Sequence, residues 1–161
     1  MTYTFWHKDH LSEQELITAY ATVMADRRLA RTLWYDGLPT GPYTWLDRVK
    51  TQWLAIVRKA NVPVAMFWLN GFQGRSAQIH FCVFPGHIGE ATEIGKATLD
   101  WLKREGWLHS LYGVTPVTHR HVIPFIESIG FKVLGKLPGA CFIERLNKHV
   151  AAYVSCYDFG R

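Results

Sequence analysis

The sequence predicts an α/β fold: a mixed, mostly antiparallel sheet of six to seven strands, parallel only in its middle and flanked by about four helices. Three observations predict it. Two apolar runs joined by a short turn read as a hairpin, a strand-helix-strand succession from Gln78 to Val114 follows, and two more strands close the chain.

The elements follow in order. Tyr3-Thr4-Phe5-Trp6 alternates weakly and gives a short first strand. Ser12 and Glu15 have capping-box spacing, and Leu16, Ile17, Tyr20, Val23 and Met24 recur at three and four residues. They predict an amphipathic helix running to about Arg31. A loop from Asp36 to Pro42 precedes a short helix from Tyr43 to Lys50. Trp53 to Val57 and Val62 to Leu69, joined at Lys59-Ala60-Asn61, form the hairpin. In the strand from Gln78 to Phe84, Gln78, His80 and Cys82 share one face and Ile79, Phe81 and Val83 the other.

Pro85-Gly86 ends that strand. Ile94, Ala97, Thr98, Trp101 and Leu102 then mark a helix, closed by Lys103, Arg104 and Gly106. Leu108 to Val114 is a buried strand stopped by Thr115-Pro116. A helix from His119 to Ile129 carries Pro124, which either sits in an early turn or causes a kink, and Phe131 to Leu134 and Val150 to Tyr157 are the last strands.

At 161 residues, 48 % hydrophobic and 19 % charged, the chain reads as a single domain, 1–161, with no internal linker or repeat. A domain of this length buries roughly 70 % of its unfolded surface. No apolar run approaches the ~20 residues of a membrane span, and Met1 to His10 lacks the pattern of a signal peptide. Cys82, Cys141 and Cys156 are odd in number and lack CxxC spacing. They read as reduced thiols of a cytoplasmic protein, with no metal site.

The net charge of +5 is mostly unorganised. Arg27, Arg28 and Arg31 form one small cluster and Arg48, Lys50, Arg58 and Lys59 another. Such an excess is either solvated surface or a basic mouth for an anionic ligand. Basic residues interleaved with aromatics are missing, so nucleic acid is not the expected partner, and neither is a membrane.

The element order resembles the GNAT acetyltransferase superfamily over nearly the whole chain, and phage-borne and bacterial members of this length have a similar character. Three local matches carry the resemblance: Gln78 to Phe84 as the family's fourth strand; Ile94-Gly95-Lys96-Ala97 as the end of its pyrophosphate loop; and Gly113-Val114-Thr115-Pro116, Phe125 and Gly130-Phe131 as its fifth strand, following helix and return. The resemblance implies that the fourth and fifth strands splay apart around the pantetheine arm of acetyl-CoA. Acetyl-CoA would serve as co-substrate for an N-acetyltransferase acting on an amine of a small molecule or protein. It assigns cofactor contacts to Phe81, Cys82, Val83 and Phe84, to Gly89, Ile94, Gly95 and Lys96, and to His119 and Phe125.

The family pattern is met in part. Glu90 and Glu93 stand where the pyrophosphate motif has a basic or amide residue and its first glycine. His87 offers a substitute anion partner. Ile126 replaces the usual acid tyrosine, His119 the frequent asparagine, and Gln78 falls near the carboxylate that some relatives use as base. The catalytic candidates are therefore His80, as base, and Tyr112, as replacement acid. Their plainer readings are a half-buried strand histidine and a core tyrosine. Cys82 reads as a core residue rather than a nucleophile, and Trp34, Trp45, Trp53 and Trp68 as core or as walls of an acceptor pocket. The alternative function is a GNAT-like binding or accessory protein that has lost the chemistry. The apolar carboxyl-terminal strand pairs either within the chain or across a homodimer.

Overall fold

The computed structural model describes residues 2–160; Met1 and Arg161, the ends of the predicted domain, lie outside the described residues. Strands β1 (Tyr3–His7), β2 (Trp53–Lys59), β3 (Val62–Gln73), β4 (Ser76–Val83), β5 (Ser110–Pro116), β6 (Lys132–Ile143) and β7 (Lys148–Asp158) form one sheet in the order β1-β2-β3-β4-β5-β7-β6. Every neighbouring pair is antiparallel except β4 and β5. Helices α1 (Glu13–Ala25), α2 (Arg27–Leu33) and α3 (Pro42–Lys50) cover one face, and α4 (Ala91–Glu105) and α5 (Ile123–Ser128) the other.

The hairpin between β2 and β3 turns through Ala60 and Asn61, both at positive φ, the geometry that matches strand twist in a two-residue turn. Pro63 lacks an N–H, and the ladder shifts register beside it, between Val57 and Arg58. β3 is buried on both faces, which explains its unbroken apolar run. Val64, Phe67 and Leu69 join the core under α4, while Met66 and Trp68 join the core under α1 to α3. Trp34 and Trp45 belong to that second core too, and Trp53 packs against the first.

The structure corrects several boundaries. The predicted helix to Arg31 is two helices. Asp26 leaves the helical conformation and its carboxylate accepts from the backbone N–H groups of Arg28 and Leu29, each at 3.0 Å, capping α2. The predicted helix from His119 is a 3-10 segment, Val117–Val122, followed by α5. Pro124 sits in the first turn of α5, where its missing N–H costs no helical bond. β4 stops at Val83, and β5 starts at Ser110 and continues through Thr115 to Pro116, opposite Ala152. β6 extends far beyond Leu134 because it bulges twice and so stays paired with β7. β7 is paired on both edges within the chain, so the alternative of strand pairing across a dimer does not apply to it. No helix among the described residues is long and apolar enough to cross a membrane.

Candidate active site

β4 and β5 hold together only at Ser76–Ser110, Ala77–Leu111 and Gln78–Tyr112, with the two serine hydroxyls 2.7 Å apart at the closed end. Beyond Gln78 the strands diverge. β5 keeps its partner β7 as far as Pro116, so the edge of β4 from Ile79 onward faces the gap without a sheet partner. Unpaired backbone groups of that kind need a partner, and an extended ligand can supply it.

The gap is a cavity of about 160 Å³. Ile79, His80 and Phe81 line one side, Gly113 to Pro116 the other, Gly95, Thr98 and Leu99 of α4 with Phe125, Ile126 and Ile129 the floor, and Thr32, Leu33 and Tyr35 the opposite end. The rings of Phe81 and Phe125 stack with centroids 5.7 Å apart, so the floor is tied to the splayed strand. A Cβ on Gly95 would stand 2.8 Å from Ile129 and 3.3 Å from Phe125, which is why α4 carries glycine here. Its role is close approach of two helices, and the same approach shapes the cavity wall.

His80 is half-buried at the splay point. Its ring stacks on Trp68 at 4.9 Å and Nε2 lies 3.2 Å from Asn70 Oδ1. With the amide oxygen facing it, Nε2 donates and Nδ1 carries the lone pair. Burial lowers its pKa to about 4, outweighing the opposing charge of Asp36, so the imidazole is neutral at ordinary pH.

Tyr112, the predicted replacement acid, is not brought to the cavity. It lies at the paired end of the two strands, and its hydroxyl donates to the Gly71 carbonyl at 2.7 Å. Cys82, Val83 and Phe84 bury their side chains and are not among the residues that line the cavity. The Cys82 thiol is pushed up to about 12 by burial, which removes it as a nucleophile. Ile94 is wholly buried in the core, Gly89 lies in a 3-10 turn before α4, and Lys96 is exposed. His119 and Phe125 line the cavity. Ile126 lines it too, an apolar group where the family has its acid.

The two carboxylates at the start of α4 are turned to the β1–β2 edge. Glu90 pairs with Lys59, accepts from the Tyr3 hydroxyl at 3.5 Å and lies 3.7 Å from His87. Burial together with Glu93 and Glu90 raises the Tyr3 phenol to about 12. Neither carboxylate lines the cavity.

Tyr35 is the residue that sequence reasoning missed. It follows α2, lines the splayed cavity and accepts a hydrogen bond from Cys141 Sγ at 3.5 Å, which leaves its own proton free. Burial holds that phenol above its ordinary pKa, so it stays protonated. No periodicity or motif marks it. A second cavity, of about 600 Å³, adjoins the first and shares Thr32, Tyr35 and His119 with it. Arg27, Arg28, Arg31 and Arg145 line this cleft. The cluster on α2 is visible in the sequence, but Arg145, which faces it from the turn after β6, is not. Among the described residues no group of three or more His, Cys, Asp or Glu is placed to hold a metal ion.

Comparison with protein-family models gave no match, and none of the curated proteins matches the sequence. Solved structures do. Spermidine N-acetyltransferase from Vibrio cholerae, in complex with CoA and spermine, superposes with a TM-score of 0.77 at 16 % identity, over 97 % of this chain and 95 % of that one. A GNAT-family acetyltransferase from Bacillus anthracis gives 0.76 at 15 %, over 100 % and 97 %. A ribosomal-protein alanine acetyltransferase from Vibrio fischeri gives 0.74 at 11 %, over 99 % and 94 %. At these identities the likeness speaks for architecture, and with the strand order and the split between β4 and β5 it shows that the chain has the fold of the GNAT N-acetyltransferases.

Proposed function

We propose that the chain is an acyl-CoA-dependent N-acetyltransferase that takes its acetyl group from acetyl-CoA. The observation that carries this reading is the divergence of β4 and β5 after Gln78 around an apolar cavity that reaches both faces of the sheet. The neighbouring structures act on chemically different amines, which supports the reaction class and leaves the acceptor open.

Acetyl-CoA would supply an activated acetyl thioester, held along the free edge of β4 from Phe81 to Phe84, with the turn from Gly89 to Lys96 toward its phosphates. The chain's own residues do the rest. His80 is neutral and presents a lone pair, but its pKa of about 4 makes it a poor proton acceptor. Taking a proton from an ordinary alkylammonium would cost such an imidazole on the order of 8 kcal/mol. The amine therefore enters already neutral, and His80 orients it by accepting a hydrogen bond. Tyr35 is the protonated donor available to the departing sulfur, and the proton that the acylated nitrogen sheds returns the phenol to its neutral form, so one proton passes from nitrogen to sulfur overall.

Calorimetric titration with acetyl-CoA, followed by thiol release with a panel of amines, tests the reading. Micromolar binding and turnover are expected, and no binding at millimolar acetyl-CoA rejects it. Tyr35→Phe should slow turnover at unchanged acetyl-CoA affinity. The rate should rise with pH as the amine deprotonates, with no inflection near pH 6.5. An inflection there that His80→Gln removes would make His80 a titrating base instead.

A second reading, a non-catalytic GNAT-like accessory protein, is favoured by Ile126, which puts an apolar side chain where the family's acid would reach the cavity. Binding of acetyl-CoA with no turnover of any amine would select it.

A further inference from the structure

We infer that the acceptor is an anionic amine, one whose carboxylate or phosphate groups are received by Arg27, Arg28, Arg31 and Arg145 while its amino group reaches into the split between β4 and β5. The inference rests on the acetyltransferase reading and names the substrate class of the same site. Position comes first. The cleft of about 600 Å³ meets the splayed cavity at Thr32, Tyr35 and His119, which line both, so a molecule seated in the cleft has its inner end beside the free edge of β4.

Charge comes second. Four guanidiniums line the cleft against one carboxylate, Glu144. Among the described residues none of the four forms an ion pair, whereas Arg58, Lys59 and Lys50 all do, with Glu15, Glu90 and Asp47. Arg27 and Arg28 sit in the first turn of α2, where the helix dipole disfavours cations. Neither pairing within the chain nor helix stability explains their placement. His119 also registers the field, since after burial its pKa is lowered by His121 and Arg145.

Rigidity comes third. The arginines arrive from two elements over a hundred residues apart, and backbone bonds pin both. Asp26 caps α2, and the Glu144 N–H donates to the Tyr35 carbonyl at 3.0 Å, fastening the turn that carries Arg145 to the end of the α2 segment. Guanidinium groups are forked donors matched to carboxylate and phosphate oxygens, and a cluster of them repels a polycation.

Thiol release at saturating acetyl-CoA tests this with matched amines: the tripeptides Ala-Glu-Glu and Ala-Gln-Gln, phosphoethanolamine and ethanolamine, and spermidine. The anionic member of at least one pair should be favoured about tenfold or more in kcat/KM. A preference in the peptide pair alone assigns carboxylates, and in the phosphoethanolamine pair alone phosphate. In the Arg31→Gln/Arg145→Gln variant the ratio should fall toward one, with acetyl-CoA affinity as the check on folding. Equal rates within both pairs, a preference for spermidine, or a ratio that survives the double substitution would overturn the inference. Absence of acetyl-CoA binding rejects the enzyme reading instead. The cleft is then read separately by thermal shift with the same pairs: stabilisation by an anionic member that the double variant loses keeps an anion-binding cleft, and no stabilisation removes it.

Discussion

At the turn between β4 and α4, Glu90 is held by Lys59 and Tyr3, and on the other face Glu15 binds Arg58 at 2.5 Å. At the α2 cleft, Arg27, Arg28, Arg31 and Arg145 converge on a space with one carboxylate and form no ion pair among the described residues. Both regions flank the same split sheet, and both carry several charged groups. In the first the charges satisfy one another and fasten a helix start to the sheet edge. In the second, among the described residues, they do not. The difference teaches that a net charge of +5 says little until each charge is assigned a partner. Glu90, which stands where the family's pyrophosphate motif has a basic or amide residue, is neutralised by Lys59, and the arginines, which by sequence read either as solvated surface or as a basic mouth, have no ion-pair partner among the described residues.

The split itself is the feature both regions depend on, and closing it should have the largest effect. Gly95→Val places a branched side chain where a Cβ alone comes within 2.8 Å of Ile129. Alanine would gain up to about 1 kcal/mol of helix propensity over glycine, but the overpacking costs more, about 1–3 kcal/mol, and valine adds bulk without the propensity gain. Urea denaturation of Gly95→Val should show that loss, and acetyl-CoA binding should fall with it as α5 is pushed from α4. Wild-type stability would mean that the helices separate freely, and that the glycine does not set the width of the groove.

Between the two regions lies His80. Its pKa in the folded chain, about 4, is below its ordinary value of 6.5. The unfolded chain therefore takes up a proton first as pH falls, and the stability conferred by keeping the ring neutral is whole above pH ~6.5 and drains away between about 6.5 and 4. A loss on the order of 3 kcal/mol over that window is expected from His80, and His80→Gln should flatten this part of the stability profile. His7 and His119 are lowered in the same direction, so the His80 contribution is the difference between wild type and variant.

The arginine cleft depends on α2 being a separate helix. Asp26→Ala removes the carboxylate that accepts from two backbone N–H groups, and should cost about 1 kcal/mol in a denaturant titration. If the cleft orders the acceptor, the same variant should blunt the preference for anionic amines without touching acetyl-CoA affinity. A preference that survives would show that the arginines act as a diffuse field rather than as a built pocket.

How far the sequence carried these distinctions follows from what pattern can encode. Periodicity gave all seven strands because each alternates or runs apolar against a core, and the Ser12–Glu15 capping box and the Gly106 helix end were legible as local chemistry. The break at Asp26 was passed over, although Leu29 and Leu33 fall on the opposite side of the helix from the stripe of Leu16, Tyr20 and Val23, a change of phase that marks the stop together with the aspartate's cap. The length of β6 was hidden by its bulges, which destroy alternation. Strand alternation put His80 on a named face, and it lines the cavity; Tyr112 lies away from it because the register of β4 and β5, which seats its hydroxyl on Gly71, is a tertiary fact. Tyr35 and Arg145 reach the site through long-range contacts, between Glu144 and Tyr35 and between Cys141 and Tyr35, that leave no trace in local spacing.

The smallest effect is expected at the paired region, and it bears most directly on the comparison. Lys59→Ala removes the cation that holds Glu90 and should leave the fold intact, since the pair lies at the edge of the sheet and both groups are partly solvated. What changes is the field at the start of α4. If, as proposed, the turn before α4 receives the phosphates, the freed carboxylate would face them, so acetyl-CoA affinity should weaken several-fold, more at low ionic strength than at high. Glu90→Gln in the same background should restore it, because the amide carries no charge to repel. If Lys59→Ala binds acetyl-CoA as the wild type does at low salt, Glu90 is remote from the phosphates even when unpaired. The pairing would then serve only to fasten α4 to the sheet edge, and the contrast between the two regions would reduce to the arginine cleft alone.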